Sequence, residues 1–324
     1  MKILIYSYND KLGDGLQKIS FIQEIKKRFP NSIITYTTSE KTTLKNILKP
    51  LVNEYINEII EHNGVRSSFT DLLKNNQIFQ NRYFDLIIDL QKVVLRTLNL
   101  KKIPHKRFFS TTANFLFSDF KNNRNMKFKN IYIERFYLNI ISLIINQKLE
   151  NIENFEIPIY KVPILDNKNG RKRIGIAPGA GNIIREWGFK NYMEIAKYLK
   201  THGYDVYFFL GPNESKYLQS CKLNNFKCPE WENGKMISNN ILFIFNLAKQ
   251  IDCLLCNDGG TSWIFEFTGI PTFKIFGVTN ERKFARPKYS TTLQVKDYGF
   301  NTLQKFPVKL YKTYLLKFLQ KRNI

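Results

Sequence analysis

The sequence predicts an α/β protein made of two doubly wound, Rossmann-like parallel-sheet domains. Three observations carry this prediction. Apolar, β-branched runs alternate with segments of helical periodicity. The alternation restarts after a proline-marked polar stretch between residues 158 and 170. A length of 324 residues suits two such units better than one. Hydrophobic residues at 43% and charged residues at 24% supply enough apolar surface for two cores, which excludes a disordered or collagen-like chain.

The first domain is expected over residues 1–160. It opens with a strand, Lys2 to Tyr8, a polar turn, Asn9 to Gly15, and a helix in which Ile22, Ile25 and Phe29 share one face. Ser32 to Thr38 is β-branched and reads as a strand, Lys41 to Leu51 as a helix, Glu58 to Glu61 as a short strand and Asp85 to Leu90 as an apolar strand. An aromatic, Ile-rich helix spans Asn130 to about Gln147. Pro158, Pro163 and the run Asp166, Asn167, Lys168, Asn169, Gly170 form the expected linker. The second domain, 161–324, begins with strand Arg173 to Ala177 and the turn Pro178 to Gly181. A helix follows with Tyr192, Ile195, Ala196 and Leu199 on one face, stopping at Gly203. Strand Asp205 to Leu210, helix Ile241 to Gln250, strand Asp252 to Cys256, loop Asn257 to Thr261 and strand Pro271 to Phe276 complete the pattern.

A net charge of +23, spread over both halves, suits a chain that works against polyanions: nucleic acid, anionic lipid headgroups or phosphorylated sugars. A Lys-, Asn- and Ile-rich composition accounts for it equally well. Nucleic-acid recognition is disfavoured, because no RNP stretch, KH-type GXXG or C2H2 spacing is present. The apolar start, Met1 to Tyr8, is too short for a secretory signal, so a cytoplasmic chain is expected. The run Phe136 to Ile145 falls short of a bilayer span, so any membrane contact is expected to be peripheral. Cys253 and Cys256 form a C-x-x-C within an apolar run; alternating strand geometry turns them to opposite sides, which favours core over a redox or zinc pair. No D-x-D motif or His/carboxylate cluster occurs, so no metal or other cofactor is expected.

In open parallel sheets, ligands bind beyond the carboxyl ends of the strands, where loops enter helix N-termini. The loop after Tyr8 carries Asp14 between Gly13 and Gly15, where a carboxylate could take a proton from an acceptor hydroxyl or simply cap a helix. The loop Asn257 to Ser262 could cradle phosphate on its amides, with the Thr261 hydroxyl added, or be an ordinary turn. Gly179, Ala180 and Gly181, with Arg185 beyond, offer an amide-rich turn and a fixed positive charge of the kind a diphosphate leaving group needs. Glu214 could hold a sugar diol or open a surface helix. Neither GxGxxG nor GxxxxGK[ST] is present.

Taken in order, these segments resemble the ADP-heptose:lipopolysaccharide heptosyltransferase family, glycosyltransferase family 9, over nearly the whole chain. LGDGL resembles the family's GD loop, whose aspartate is the proposed catalytic base, a role that falls on Asp14. FDLIIDLQ resembles a strand end that faces the acceptor, here Asp89 and Gln91. IAPGAGNIIREW resembles the donor loop with a basic residue two before a tryptophan, here Arg185 and Trp187. LGPNES resembles the loop whose glutamate, here Glu214, holds the nucleoside ribose. NDGGTSWIFEFTGIPTFKIFGVT resembles the signature D-T/S-G-x-x-H, and it retains Asp258 and Gly260. The histidine position holds Trp263, and Phe265, Glu266 and Phe267 replace small residues.

The resemblance implies the GT-B architecture, two Rossmann-like domains facing each other across a cleft. It implies an inverting, metal-independent transferase with ADP-heptose as favoured donor and a lipopolysaccharide core or lipid A-linked glycan as acceptor. Donor contacts would come from Gly179, Gly181, Arg185, Glu214, Asp258, Gly259, Gly260 and Thr261. Acceptor contacts would come from Gly13, Gly15, Asp89 and Gln91, with Lys101, Lys102, Lys106 and Arg107 meeting acceptor phosphates or an anionic membrane surface. A monomer is favoured, and the amphipathic segment Val308 to Leu319, within a last helix of about 305–324, is expected to pack back across the first domain. Another hexose or hexosamine donor, or a degenerate sugar-nucleotide- or polyanion-binding protein, is the alternative that Trp263 raises.

Overall fold

The computed structural model describes residues 1–74, 76–166 and 170–324, so Asn167, Lys168 and Asn169 of the expected linker lie outside the described residues. The chain divides into two compact units, Met1–Glu156 and Ile157–Ile324.

The first unit runs β1 (Lys2–Ser7), α1 (Leu12–Arg28), β2 (Ile33–Thr38), β3 (Glu58–Ile60), α2 (Phe69–Leu72), β4 (Phe84–Asp89), α3 (Val94–Lys101), β5 (His105–Ser110) and α4 (Ile133–Ile144). Its sheet has the order β3-β2-β1-β4-β5, and every pairing is parallel. β1 and β4 are buried nearly throughout, as their continuous apolar runs require of strands covered on both faces. The expected helix over Lys41 to Leu51 is instead two 3-10 turns, Thr43–Lys45 and Lys49–Leu51. The Thr42 hydroxyl accepts the Leu44 amide at 3.2 Å to open the first. Pro50 lacks an amide hydrogen and disfavours α geometry at the residue before it, so the turns do not merge.

Helix α1 begins earlier than its sequence pattern suggested. Leu12 is already helical, which places Asp14 inside the first turn and not on a preceding loop. Gly15 is there for packing: a Cβ on it would lie 2.5 Å from Thr43 Oγ1 and 2.7 Å from Leu48 Cδ1.

The second unit runs β6 (Arg173–Ala177), α5 (Phe189–Thr201), β7 (Asp205–Phe208), α6 (Leu218–Leu223), a small antiparallel hairpin of β8 (Trp231–Glu232) and β9 (Lys235–Met236), and α7 (Ile241–Ala248). It continues with β10 (Cys253–Asn257), α8 (Gly260–Phe267), β11 (Thr272–Phe276), α9 (Glu281–Phe284), β12 (Ser290–Gln294) and α10 (Val308–Lys321). The main sheet is again all parallel, in the order β12-β11-β10-β6-β7. Gly203, at φ +86, follows the end of α5 in the left-handed region that glycine adopts freely. Cys253 and Cys256 are free thiols buried in β10. The terminal helix, expected to reach across the first domain, seats Tyr311, Leu315, Phe318 and Leu319 in the core of its own unit. There Tyr311 stacks on Trp187 with ring centres 4.2 Å apart.

Gly15→Ala is expected to overpack the α1 contact and cost about 1–3 kcal/mol. Gly181→Ala, where an added Cβ meets nothing within 4 Å, is its control. Thermal melts of both variants check this: a lowered Tm for the first and an unchanged Tm for the second.

Candidate functional site

In the first unit the carboxyl end of β1 gathers a set of charged groups. Asp14 is half-buried, and burial pushes its carboxyl above the ordinary aspartate range against the pull of Lys18. Beneath it lies a pair that sequence reasoning missed. Asp10 is buried and accepts hydrogen bonds from Lys18 Nζ, from Tyr36 at 2.7 Å, from Ser7 at 2.9 Å and from Thr42 at 3.0 Å. Burial alone would raise its pKa; the Lys18 charge and these hydrogen bonds outweigh it and hold the carboxyl low. The signal was present in the helical spacing, because Lys18 falls on the same stripe as Ile22, Ile25 and Phe29.

The acceptor candidates separate. Asp89 is 1% exposed. Its carboxylate accepts from Thr97 Oγ1 at 2.6 Å, Ser110 Oγ at 3.0 Å and the Gln91 amide at 2.8 Å, so it organises the strand end and presents nothing to a ligand. Burial pushes its pKa up to about 6. Gln91 is half-buried and reaches Ser7 Oγ at 3.4 Å, which brings its side chain to the end of β1.

The cluster Lys101, Lys102, Lys106 and Arg107 lies at the opposite edge of the sheet. It spans the end of α3 and the amino end of β5, whereas Asp14 follows the carboxyl end of β1 in a sheet whose strands are all parallel. Lys101 donates to the Phe117 carbonyl at 2.8 Å, Lys102 to the Leu72 carbonyl at 2.8 Å, and the Arg107 guanidinium sits 3.8 Å from the Phe120 ring centre. The cations at the carboxyl edge are others. A cavity of about 400 Å³ is lined there by Tyr8, Ser39, Glu40, His62, Arg66 and Arg96, among others. Arg96 stacks 3.6 Å from the Tyr8 ring centre, and among the described residues its buried Nε has no hydrogen-bond partner. Arg66 lies on the loop that follows β3, and Arg96 lies in the first turn of α3, the helix that follows β4.

In the second unit, Asn257 at the end of β10 locks the loops together. Its Nδ2 donates to the Pro178 carbonyl at 2.6 Å, and its Oδ1 accepts the Trp187 amide at 3.0 Å and the Tyr192 hydroxyl at 3.1 Å. Gly179 and Gly211 leave room for one side chain. A Cβ on Gly179 would lie 2.3 Å from Glu214 Oε1, and one on Gly211 would lie 2.7 Å from Glu214 Oε2. Glu214 therefore lies over both turns, its carboxyl raised by burial and then by the nearby Glu186. Glu186 itself accepts the Ala180 amide at 3.2 Å.

Arg185 closes a 3-10 turn, Ile183–Arg185, that the Asn182 side chain caps. Its Nη1 stands 3.8 Å from Asp258 Oδ2. Asp258 is buried, and burial raises its carboxyl against the pull first of Lys274 and then of the Thr279 hydroxyl and Arg185. Gly259 is the N-cap of α8, and Gly260 and Thr261 form its first turn, where amides lack intrahelical partners. Trp263, one turn in, is 2% exposed and faces the core. Among the described residues no group of three or more His, Cys, Asp or Glu could hold a metal ion, and no helix is long and apolar enough to cross a membrane.

Residues 73–306 match the family model for glycosyltransferase family 9 (heptosyltransferase). No curated protein matches the chain. Among solved structures, a glycosyl transferase family 9 protein from Veillonella parvula is 17% identical, with a TM-score of 0.65 over 99% of this chain and 97% of that one. E. coli heptosyltransferase WaaC with ADP is 12% identical, with a TM-score of 0.64 over 98% and 99%. E. coli ADP-heptose lps heptosyltransferase II is 17% identical, with a TM-score of 0.58 and full coverage of both chains. Likeness at these identities shows a shared fold, the two-domain GT-B architecture.

The Asp89 environment gives a pH signature. A carboxyl raised to about 6 favours the folded state below the ordinary aspartate pKa, and that contribution is lost as pH rises through 6. Asp89→Asn is expected to remove it, so wild type should gain Tm relative to the variant as pH falls from 7 to 5. Parallel melts across that range check it; identical pH dependence in the two proteins would show that Asp89 does not titrate there.

Proposed function

The chain belongs to glycosyltransferase family 9 and is a glycosyltransferase, and on that premise we propose that it moves a heptosyl group from ADP-heptose to a lipopolysaccharide core or related lipid-linked glycan. Asp14 removes the proton of the acceptor hydroxyl. The oxygen attacks the anomeric carbon from the face opposite the leaving group, and the bond to the diphosphate breaks with inversion. Arg185 and the free amides at the start of α8 take up the charge of the departing nucleotide diphosphate, without a metal ion. Glu214, over Gly179 and Gly211, accepts hydrogen bonds from the ribose hydroxyls.

The observation that carries this reading is the gathering of Arg185, Glu214, Asp258 and two glycine-bearing turns at the carboxyl ends of β6, β7 and β10. On the acceptor side, Arg66 and Arg96 replace the lysine cluster as candidate contacts for acidic groups of the acceptor, because they line a cavity at the edge where α1 carries Asp14. Work on such an acceptor places the chain at the inner face of the cytoplasmic membrane, held peripherally by charge. The second reading is a sugar-nucleotide-binding protein without turnover, which the buried Trp263 favours because it offers a phosphate no charge.

A panel of nucleotide sugars, ADP-heptose included, read by Tm without added metal, tests the donor site. Stabilisation by ADP-heptose should be lost in Glu214→Ala and Asp258→Ala. Asp14→Asn is expected to keep the donor-induced Tm shift while losing turnover by roughly 10²-fold or more. Binding with no turnover in the wild type would select the second reading, and a shift only with UDP-hexoses would replace the donor.

A further inference from the structure

Trp263 occupies the position at which the family signature carries a histidine, and a charge lies against it. The ammonium of Lys274, on β11 and fully buried, sits 4.8 Å from the Trp263 ring centre. It lies 2.7 Å from Glu266 Oε1 and donates to the Phe284 carbonyl at 3.0 Å. Glu266 is on α8 with Trp263, three residues later. Its Oε1 also accepts the hydroxyls of Thr272 at 2.8 Å and Ser290 at 2.5 Å. Helices α8 and α9 and strands β11 and β12 thus meet at one buried ion pair.

Stability is a weak reason for such a pair, since desolvating two charges generally consumes their attraction and apolar residues of similar volume would serve. Its position supplies a better one. Lys274 pairs across the ladder with Cys256, two residues before Asp258. Asp258 in turn is the ion-pair partner of Arg185.

We propose that Lys274 is a positioning residue for the donor site: set beside the end of β10 by its ladder pairing with Cys256 and held by Glu266, it acts through Asp258 to fix Arg185 where a diphosphate arrives. The proposal rests on reading the second unit as a nucleotide-sugar site. The groups that act on Asp258 are Lys274 from β11, Glu266 from α8, Arg185 from the turn before α5, Thr279 from the loop after β11 and Cys256 from its own strand. Lys274 is the leading attraction among them and opposes burial, so its removal lets the Asp258 carboxyl hold its proton to higher pH.

Lys274→Met alone strands the Glu266 charge and is expected to destabilise the fold. The informative protein is full-length Lys274→Met/Glu266→Gln, which removes both charges and keeps an acceptor for the Thr272 and Ser290 hydroxyls. Calorimetric binding of ADP, UDP and GDP is measured from pH 5 to pH 8, with Tm as the check on folding. The expected result is a folded variant that binds nucleotide as wild type does at pH 8 and more weakly toward pH 5, the acid limb of its binding curve moving to higher pH because Lys274 outweighs Glu266 at Asp258. In an Asp258→Asn background the same pair of changes should have little further effect, the non-additivity of a shared pathway. If the first pair fails to fold, Lys274→Gln/Glu266→Gln restores a hydrogen bond between the positions and carries the same expectation. A folded double variant with wild-type affinity and an unmoved acid limb would make Lys274 purely structural and overturn the proposal. Absence of nucleotide binding by the wild type would overturn the donor-site reading itself.

Discussion

Parallel strands buried on both faces leave one place where polar chemistry can gather, and both units are built around that constraint. Their main sheets are parallel throughout, so backbone groups within the layers are spent on ladders, and the side chains above and below them are mostly apolar. Loops that leave the carboxyl ends are the exception, since each must turn, enter a helix and leave amides without intrahelical partners. Asp14, Gln91, Arg185, Glu214, Asp258 and Gly260 all belong to such connections. Lys101, Lys102, Lys106 and Arg107 do not, and the same constraint removes them from the acceptor side.

A second regularity is electrostatic. In each unit a buried lysine stands behind a candidate carboxylate: Lys18 behind Asp14, and Lys274 behind Asp258. Each lysine is itself held by a second buried acid, Asp10 or Glu266. Burial by itself would hold protons on Asp14 and Asp258 to higher pH, and a nearby fixed cation limits that effect. The result is a carboxylate that is partly desolvated, hence a stronger base, yet still able to ionise. Loss of either lysine would leave an uncompensated charge in the interior, which is why breaking such pairs is costly even where forming them gains little.

Glycine has different work at different positions. At Gly15 the missing side chain lets α1 close onto the 3-10 segment, while at Gly179 and Gly211 it makes space for a single carboxylate. All three look alike as letters in a turn. Which neighbour fills the space is a property of the packed molecule.

Most of the architecture was legible in the chain because it follows from local periodicity. Short continuous apolar runs at β1, β4 and β10, bounded by turn residues, read as strands covered on both faces, and the stripes of α1 and α5 set their buried faces. The segment Lys41 to Leu51 was misread because Pro50 and the threonine cap act at single positions that a periodic pattern averages away. The donor loops were legible as motifs, in order and spacing. What the sequence by itself determined, then, is which residues stand at the carboxyl ends of strands, since that depends only on where apolar runs stop. Tertiary structure alone decided that Asp89 is enclosed by Thr97 and Ser110, that Arg66 and Arg96 line one cavity at the carboxyl edge, and that Lys274 lies against Trp263. Those pairings join segments tens of residues apart, and burial and charge act through distance in space, which chain order does not record.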